Sequence, residues 1–391
     1  MPRQFEDELD QLKQQALLRR LREIESQPGT AMTYAGRKLI NFSSNDYLGL
    51  AGEAFLREAA KLAIDEYGVG ATASRLVCGT ISPHVALEKR LAEFKQTEAA
   101  LTFSSGYATS LGTLSSLAGK GDVIILDKLA HASLIDGARL SGATLRVFPH
   151  NQVDKLENHL QWARDAHSGA RVVVVIESVY SMDGDRAPLA EIVEVKDRYG
   201  ALLLVDEAHA LGVVGPNGRG LAHRLGLADR VEIQMGTLSK AIGVAGGYIA
   251  GKQALIEWLI NRARSFVYST APPPALAAAA TAAINFLDSP AGETRRHQLW
   301  DNLKVLAAGL PPGLTPDRLQ SAIVPVMIGD ETAALAASRM FYDAGFFVPA
   351  IRYPTVARGT ARLRLTLSAS HYAEEIQAVT HALWELDKRD V

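Results

Sequence analysis

Four short apolar runs in this chain end in side chains that bind or move protons. Residues 201–205, ALLLV, end in Asp206-Glu207-Ala208-His209, and residues 172–176, VVVVI, end in Glu177-Ser178-Val179-Tyr180-Ser181. Residues 122–126, DVIIL, end in Asp127 shortly before His131, and the fourth place is Gly236-Thr237-Leu238-Ser239-Lys240. In open parallel sheets the carboxyl ends of strands line the ligand crevice, so polar groups just after such runs face a common space. A pyridine-ring cofactor needs a carboxylate at its ring nitrogen, a lysine for an imine, hydrogen bonds to a phenolic oxygen and backbone amides for its phosphate. Asp206 suits the first role and Lys240, 34 residues later, the second. Ser104-Ser105-Gly106-Tyr107 precedes a helical pattern over Ala108 to Leu117, where amides at a helix start suit a phosphate. His131 is placed to stack on a flat ring or to act on substrate. Alone, each has a plainer reading: a helix-capping aspartate, a solvated lysine, a loop histidine. Their order and shared position at strand ends join them.

A competing motif, Gly68-Val69-Gly70-Ala71-Thr72-Ala73, fits the G-x-G-x-x-A dinucleotide pattern. It follows a helical pattern over Phe55 to Tyr67, not a strand, and no strand ending in an acid comes about 20 residues later. A nicotinamide cofactor is therefore not expected.

The elements that must position these residues follow a regular rhythm. Apolar runs at Asp122 to Leu126, Thr144 to Phe148, Arg171 to Ile176, Ala201 to Val205 and Gly246 to Ala250 alternate with helical patterns, which predicts a mainly parallel sheet in an α/β domain. VVVVI and LLLV are continuous, as strands covered on both faces are. Leu recurs at helical spacing from Phe5 to Glu25 until Gln27-Pro28-Gly29, which predicts one N-terminal helix. Beyond Pro272-Pro273-Pro274 an Ala-rich helix leads to apolar runs at Ala322 to Ile328, Phe346 to Ile351 and Arg362 to Leu367 flanked by helices, a smaller α+β domain. The expected division is an N-terminal segment 1–45, a large cofactor domain 46–275 and a C-terminal domain 276–391.

Charge excludes several classes. Lys plus Arg, 41, nearly balances Asp plus Glu, 43, with no long block of one sign, so no nucleic-acid partner is expected. The apolar stretch Ala275 to Leu287 is interrupted by Thr281 and Asn285 and is shorter than the roughly 20 residues that span a bilayer. No membrane association is expected. Met1 to Asp10 does not have the shape of a signal peptide, and Cys78 is the single cysteine, so a cytoplasmic setting is expected. No metal site is expected.

With these residues in place, the chain resembles the α-oxoamine synthases from about Leu18 to about Leu367. The likeness rests on Asn41-Phe-Ser-Ser-Asn-Asp-Tyr-Leu-Gly49, Ser181-Met-Asp-Gly-Asp185, Asp206-Glu-Ala-His209, Gly215-Pro-Asn-Gly-Arg-Gly220, Thr237-Leu-Ser-Lys240 and Arg362-Leu-Arg-Leu-Thr366. The resemblance implies an aspartate-aminotransferase-like fold (PLP fold type I), pyridoxal 5'-phosphate as cofactor, a homodimer, and condensation of a small amino acid with an acyl thioester with loss of carbon dioxide. It implies that Lys240 forms the Schiff base, Asp206 pairs with the ring nitrogen and His131 stacks on the ring and donates to the oxygen that develops charge. Ser181 and His209 would contact the phenolic-oxygen side, while Gly106, Tyr107 and Thr237 match cofactor-contacting positions. Ser269 and Thr270 resemble the stretch that reaches the partner subunit's phosphate, and Asn45 and Arg364 match positions for the amino-acid carboxylate. Ala350-Ile-Arg-Tyr-Pro-Thr-Val356 resembles members that take a pimeloyl group, whereas 5-aminolevulinate synthases resemble I-N-Y-P-T-V there. Arg352, with Thr355 in the same segment and Arg19, then suits an acyl chain ending in a carboxylate. L-alanine and a pimeloyl thioester are the expected substrates. A glycine-using member, such as a glycine C-acetyltransferase, and a catalytically silent partner subunit on the same fold remain the alternatives. Leu238-Ser239 stands where many relatives have Phe-Gly, and Ala73 where many have Gly.

Overall fold

Val and Ile, stiff at their branched Cβ, pack well on a pleated surface, and the continuous runs do form the middle of a sheet. The computed structural model describes residues 4–314 and 319–388. The ends of the expected N-terminal segment (1–3) and C-terminal domain (389–391) lie outside these.

The larger of two compact units comprises Leu50–Ser181 and Asp185–Arg296. Its sheet has seven strands in the order Ala99–Phe103, Gly247–Gly251, Ile233–Thr237, Leu202–Asp206, Val172–Glu177, Val123–Asp127, Thr144–Phe148. The last five pair in parallel, with Glu177 opposite Asp206 in register. Val173, Val175, Leu204, Ile124 and Leu126 are fully buried between the layers. One expectation needs correction: Gly247–Gly251 runs antiparallel to Ile233–Thr237 and to Ala99–Phe103. The link from Thr237 to Gly247 is too short for the crossover that a parallel neighbour requires. The Ala-rich helix, Pro274–Leu287, packs on the helices Ala54–Tyr67 and Ser82–Lys95, its small side chains letting the neighbours approach closely.

The smaller unit comprises Met1–Gly49, Met182–Gly184 and His297–Val391. It holds two three-stranded sheets. Ala31–Tyr34, Arg37–Asn41 and Phe346–Phe347 form one, and Ile323–Gly329, Ala361–Thr366 and Ala350–Ile351 form the other. The expected single run from Phe346 to Ile351 is thus two strands of different sheets, interrupted at Pro349, which has no N–H for a ladder. The N-terminal helix is also shorter than expected, Phe5–Gln14, because Ala16 takes a left-handed φ of +56° and no residue of the helix is buried to extend it by packing. The two units divide the chain otherwise than linear boundaries at 45 and 275. The first 49 residues group with the C-terminal segment because Phe346–Phe347 adds to the Arg37–Asn41 edge, and the Ala-rich helix stays with the large unit.

Candidate active site

Strand Ile233–Thr237 ends in a turn that presents Lys240. The Thr237 hydroxyl donates to the Gly246 carbonyl at 2.8 Å and the Gly243 N–H donates to the Lys240 carbonyl at 2.8 Å. Gly243 has φ +74°, and a Cβ there would lie 2.6 Å from the Ala51 nitrogen, so the turn needs glycine. Lys240 Nζ lies 2.8 Å from His209 Nε2. His209 comes from the loop after strand Leu202–Asp206, so two strand ends deliver an amine and an imidazole to one point.

Asp206, at the end of that strand, is 5 % exposed and accepts the Ala208 N–H at 2.9 Å. Burial raises its carboxyl above the ordinary range, opposed by the charge of Lys240, the Ala208 hydrogen bond and His131. Its register partner Glu177 is buried too. Burial first, then the charge of Asp206, pushes the Glu177 carboxyl well above its ordinary range, and its Oε1 has no hydrogen-bond partner. The site therefore holds two neighbouring buried carboxyl groups, both raised by burial. His131 caps the helix Ala132–Ser141, its Nδ1 accepting the Ser133 N–H at 3.2 Å and lying 2.8 Å from Ser133 Oγ. A neutral ring so bonded carries its proton on Nε2. Burial lowers its pKa, countered by Asp206 and reinforced by Lys240.

The helix Gly106–Leu117 begins with Ser105, whose Oγ accepts the Ala108 N–H. The first amides of such a helix have no intrahelical acceptor and suit a phosphate. A Cβ on Gly106 would sit 3.4 Å from the Thr237 side chain, so these two residues close on each other. Tyr107 is half exposed and its hydroxyl donates to Asp136 at 2.7 Å. Ser181 ends the Val179–Ser181 stretch next to Asp185, and Thr270 is exposed and bridges to Ser74 beside Ser269.

The residues expected to handle substrate carboxylates fall in the smaller unit. Arg364 is buried on strand Ala361–Thr366 and donates to Asn45 Oδ1 at 3.2 Å, and the Tyr47 hydroxyl donates to the same oxygen at 3.1 Å. Arg19 donates to Thr355 Oγ1 at 2.9 Å and reaches the Tyr353 carbonyl at 3.4 Å. Burial, then the like charges of Arg19 and Arg22, lowers the Arg352 pKa, and its Nε is buried without a partner. Arg22 is a member of this cationic group that motif reading does not single out. Ser133 and the His150 contacts described below were also missed, and Glu177, named there at the end of its apolar run, was given no role. For Glu177 a signal existed: it closes its apolar run as Asp206 closes the next.

Residues 37–383 match the family described as aminotransferase class I and II, and the chain belongs to that family. Among its relatives, 8-amino-7-oxononanoate synthase of Thermoanaerobacter pseudethanolicus is 45 % identical, over 98 % of this chain and 97 % of that one. The enzyme of that name from Geobacter sulfurreducens is 44 % identical over 99 % of both. A serine palmitoyltransferase from S. paucimobilis, solved with a bound PLP–myriocin species, superposes with a TM-score of 0.92 at 32 % identity, covering 99 % of this chain and 97 % of that one.

Proposed function

We infer that the chain condenses L-alanine with a pimeloyl thioester to give 8-amino-7-oxononanoate, carbon dioxide and free thiol, a step of biotin synthesis, with pyridoxal phosphate as its cofactor. The observation that carries the reading is the meeting of Lys240 and His209 at 2.8 Å beside the buried carboxyl of Asp206, in a chain alike over its whole length to synthases of that name. The donor set fits the cofactor. Lys240 offers the amine, Asp206 an acid at a strand end, Ser181 and His209 hydrogen-bonding groups, and Gly106, Tyr107 and Thr237 a helix start for a phosphate. When bound, pyridoxal phosphate supplies an electron sink for the carbon that loses its proton.

The side chains around that sink have separable tasks. Asp206 would hold the cofactor's ring nitrogen and favour its protonated form, since an opposite charge at hydrogen-bonding distance favours the charged form. The burial that raises Asp206 in the free chain makes the pairing stronger once a cation is present. Lys240 moves the Cα proton of alanine. His131, with its proton on Nε2, donates to the oxygen that gains charge as the thioester carbonyl is attacked. Asn45 and Arg364 hold the alanine carboxylate, and Arg19, Arg352 and Thr355, with Arg22, hold the far carboxylate of the acyl chain. Clustered arginines favour an acyl group with a charged end, which acetyl, the acyl group of a glycine C-acetyltransferase, lacks.

The functional unit is a homodimer, with Ser269 and Thr270 reaching the partner's cofactor phosphate. Its support is the exposed apolar series Val69, Leu76, Val77 and Val85 in the segment that bridges to Thr270 through Ser74. No helix of the described residues is long and apolar enough to cross a membrane, and a cytoplasmic setting suits the exposed thiol of Cys78. The test is to supply alanine, glycine or serine with pimeloyl, acetyl or palmitoyl thioesters and weigh the products. Mass for 8-amino-7-oxononanoate only with alanine and pimeloyl is expected; preferred turnover of glycine with acetyl thioester would overturn the reading.

A further inference from the structure

Strand Thr144–Phe148 leaves the sheet beside strand Val123–Asp127 and turns through Pro149-His150-Asn151, with Asn151 at φ +57°, a left-handed geometry asparagine tolerates. The turn places the His150 ring between two carboxylates. Nδ1 lies 2.9 Å from Asp127 Oδ1 and Nε2 lies 2.8 Å from Asp185 Oδ2. An ionised carboxylate only accepts hydrogen bonds, so both ring nitrogens must donate, and the ring is an imidazolium. The Tyr180 ring stands edge-on to it at 4.4 Å between centroids. Asn151 repeats the bridge, its backbone N–H donating to Asp127 Oδ2 at 2.9 Å and its Nδ2 to Asp185 Oδ2 at 2.8 Å.

Each aspartate bonds to a segment that ends in an expected cofactor contact, Asp127 through its carboxylate and Asp185 through its backbone carbonyl. Asp127 Oδ1 accepts the Leu129 N–H at 2.7 Å and its carbonyl accepts the Ala130 N–H at 3.1 Å, which shapes the turn delivering His131. The Asp185 carbonyl accepts the Tyr180 N–H at 3.0 Å, one residue before Ser181. We propose that His150 is a positioning residue whose doubly clamped imidazolium joins the turn carrying His131 to the segment carrying Ser181, and so sets the spacing of two side chains at the cofactor. This rests on the reading that His131 and Ser181 serve the cofactor.

The two carboxylates outweigh burial and raise the ring's pKa to about 10. The groups facing the ring are Asp127 from the strand end, Asp185 from the loop and the Tyr180 phenol, whose own pKa burial pushes far up. Arg186 adjoins Asp185, with its pKa lowered to about 10 by burial and by Arg224. A histidine raised from about 6.5 contributes stability that is full below about pH 6.5 and is lost as pH rises through the folded value.

The first measurement is NMR of cofactor-free wild type labelled with 15N-histidine. One ring, identified by its absence in His150→Gln, is expected to hold both N–H protons through pH 9 and to lose one near pH 10; no ring doubly protonated above pH 8 overturns the proposal. His150→Gln is expected to weaken pyridoxal-phosphate binding and to lower kcat, each about tenfold, with KM for pimeloyl-CoA within about twofold, the cost of misplacing groups around a reacting centre. Affinity and kcat both unchanged overturn it. Asp185→Asn keeps the Asp127 bond and gives a second reading should the glutamine variant not fold. It is expected to lower the pH at which the ring loses its proton, and an unchanged titration overturns the clamp. Failure of the synthase reading shows separately, as wild type making no product from alanine and pimeloyl-CoA, and leaves the NMR result standing.

Discussion

Asp206 and Glu207 are neighbours in sequence and both are buried, yet they face different worlds. Glu207 meets Lys95 Nζ at 2.6 Å and accepts the Ala222 N–H at 3.0 Å, and Lys95 also donates to the Arg219 carbonyl. A Cβ on Gly220 would lie 2.2 Å from Glu207 Oε2, so the chain closes directly over this ion pair. Arg75 grips Glu88 at 2.9 Å through two guanidinium nitrogens in the same way. Asp206 instead feels the charges of Lys240 and His131, beside a second buried acid, Glu177. The difference teaches where to look for a ligand. Charges matched internally build the scaffold, and buried acids crowded together beside an amine mark where a ligand's charge fits.

The sharpest way to break this contrast is to remove a group on each side. Lys240→Ala is expected to lower turnover by about a thousandfold or more, since it removes both the anchoring amine and the proton carrier. Borohydride treatment of the loaded variant, followed by peptide mapping, should find no cofactor fixed to the 240 peptide. Cofactor still reduced onto that peptide would remove Lys240 from its role. On the scaffold side, Lys95→Met should leave Glu207 charged and alone, at a cost of about 3–5 kcal/mol in urea unfolding. Lys95→Met with Glu207→Gln should recover much of that loss. A single variant as stable as wild type would show that the pair is not what closes this region.

Much of this contrast was legible in the sequence on one side only. Asp206 and Lys240 stand out because continuous apolar runs mark strands, and strand carboxyl ends mark the crevice. The seven-stranded sheet was legible to the extent that its parallel members carry such runs. Ala99–Phe103 escaped because it begins with two alanines and carries no continuous run of branched residues, and the reversal at Gly247 depends on link length, not on side chains. Lys95, Glu207 and His150 could not be assigned because their partners lie far away in the chain. Their meaning comes from what folding sets opposite them, 112 residues apart for Lys95 and Glu207 and 35 for His150 and Asp185.

Asp206→Asn sharpens the comparison by removing charge and keeping shape. The buried acid is raised in the free chain, so neutralising it should not destabilise the fold, and urea unfolding of the cofactor-free variant at pH 7 should match wild type. Exchange of the alanine Cα hydrogen with deuterated water should slow by about two decades, at about 1.4 kcal/mol for each. Exchange within about threefold of wild type would mean that the ring nitrogen finds its partner elsewhere.

The smallest expected effect tests the same rule in the smaller unit, where Arg352 sits partly buried among Arg19 and Arg22. Burial first, then the like charges of Arg19 and Arg22, lowers the Arg352 pKa against the pull of Glu331, and its buried Nε has no hydrogen-bond partner among the described residues. An incoming carboxylate relieves that repulsion as well as forming its own charge-assisted bond, worth about 1.5–3 kcal/mol. Arg352→Ala should therefore lower kcat/KM for pimeloyl-CoA by roughly one to two decades. The control is heptanoyl-CoA, of equal chain length with no terminal charge, which should lose about threefold or less. Removing one of three crowded cations should also leave stability unchanged or slightly raised, so a fall in activity cannot be blamed on unfolding. Equal losses for both thioesters would show that the arginine serves the carrier end of the substrate or the segment's own structure, and that unmatched charge in this unit does not mark the acyl terminus.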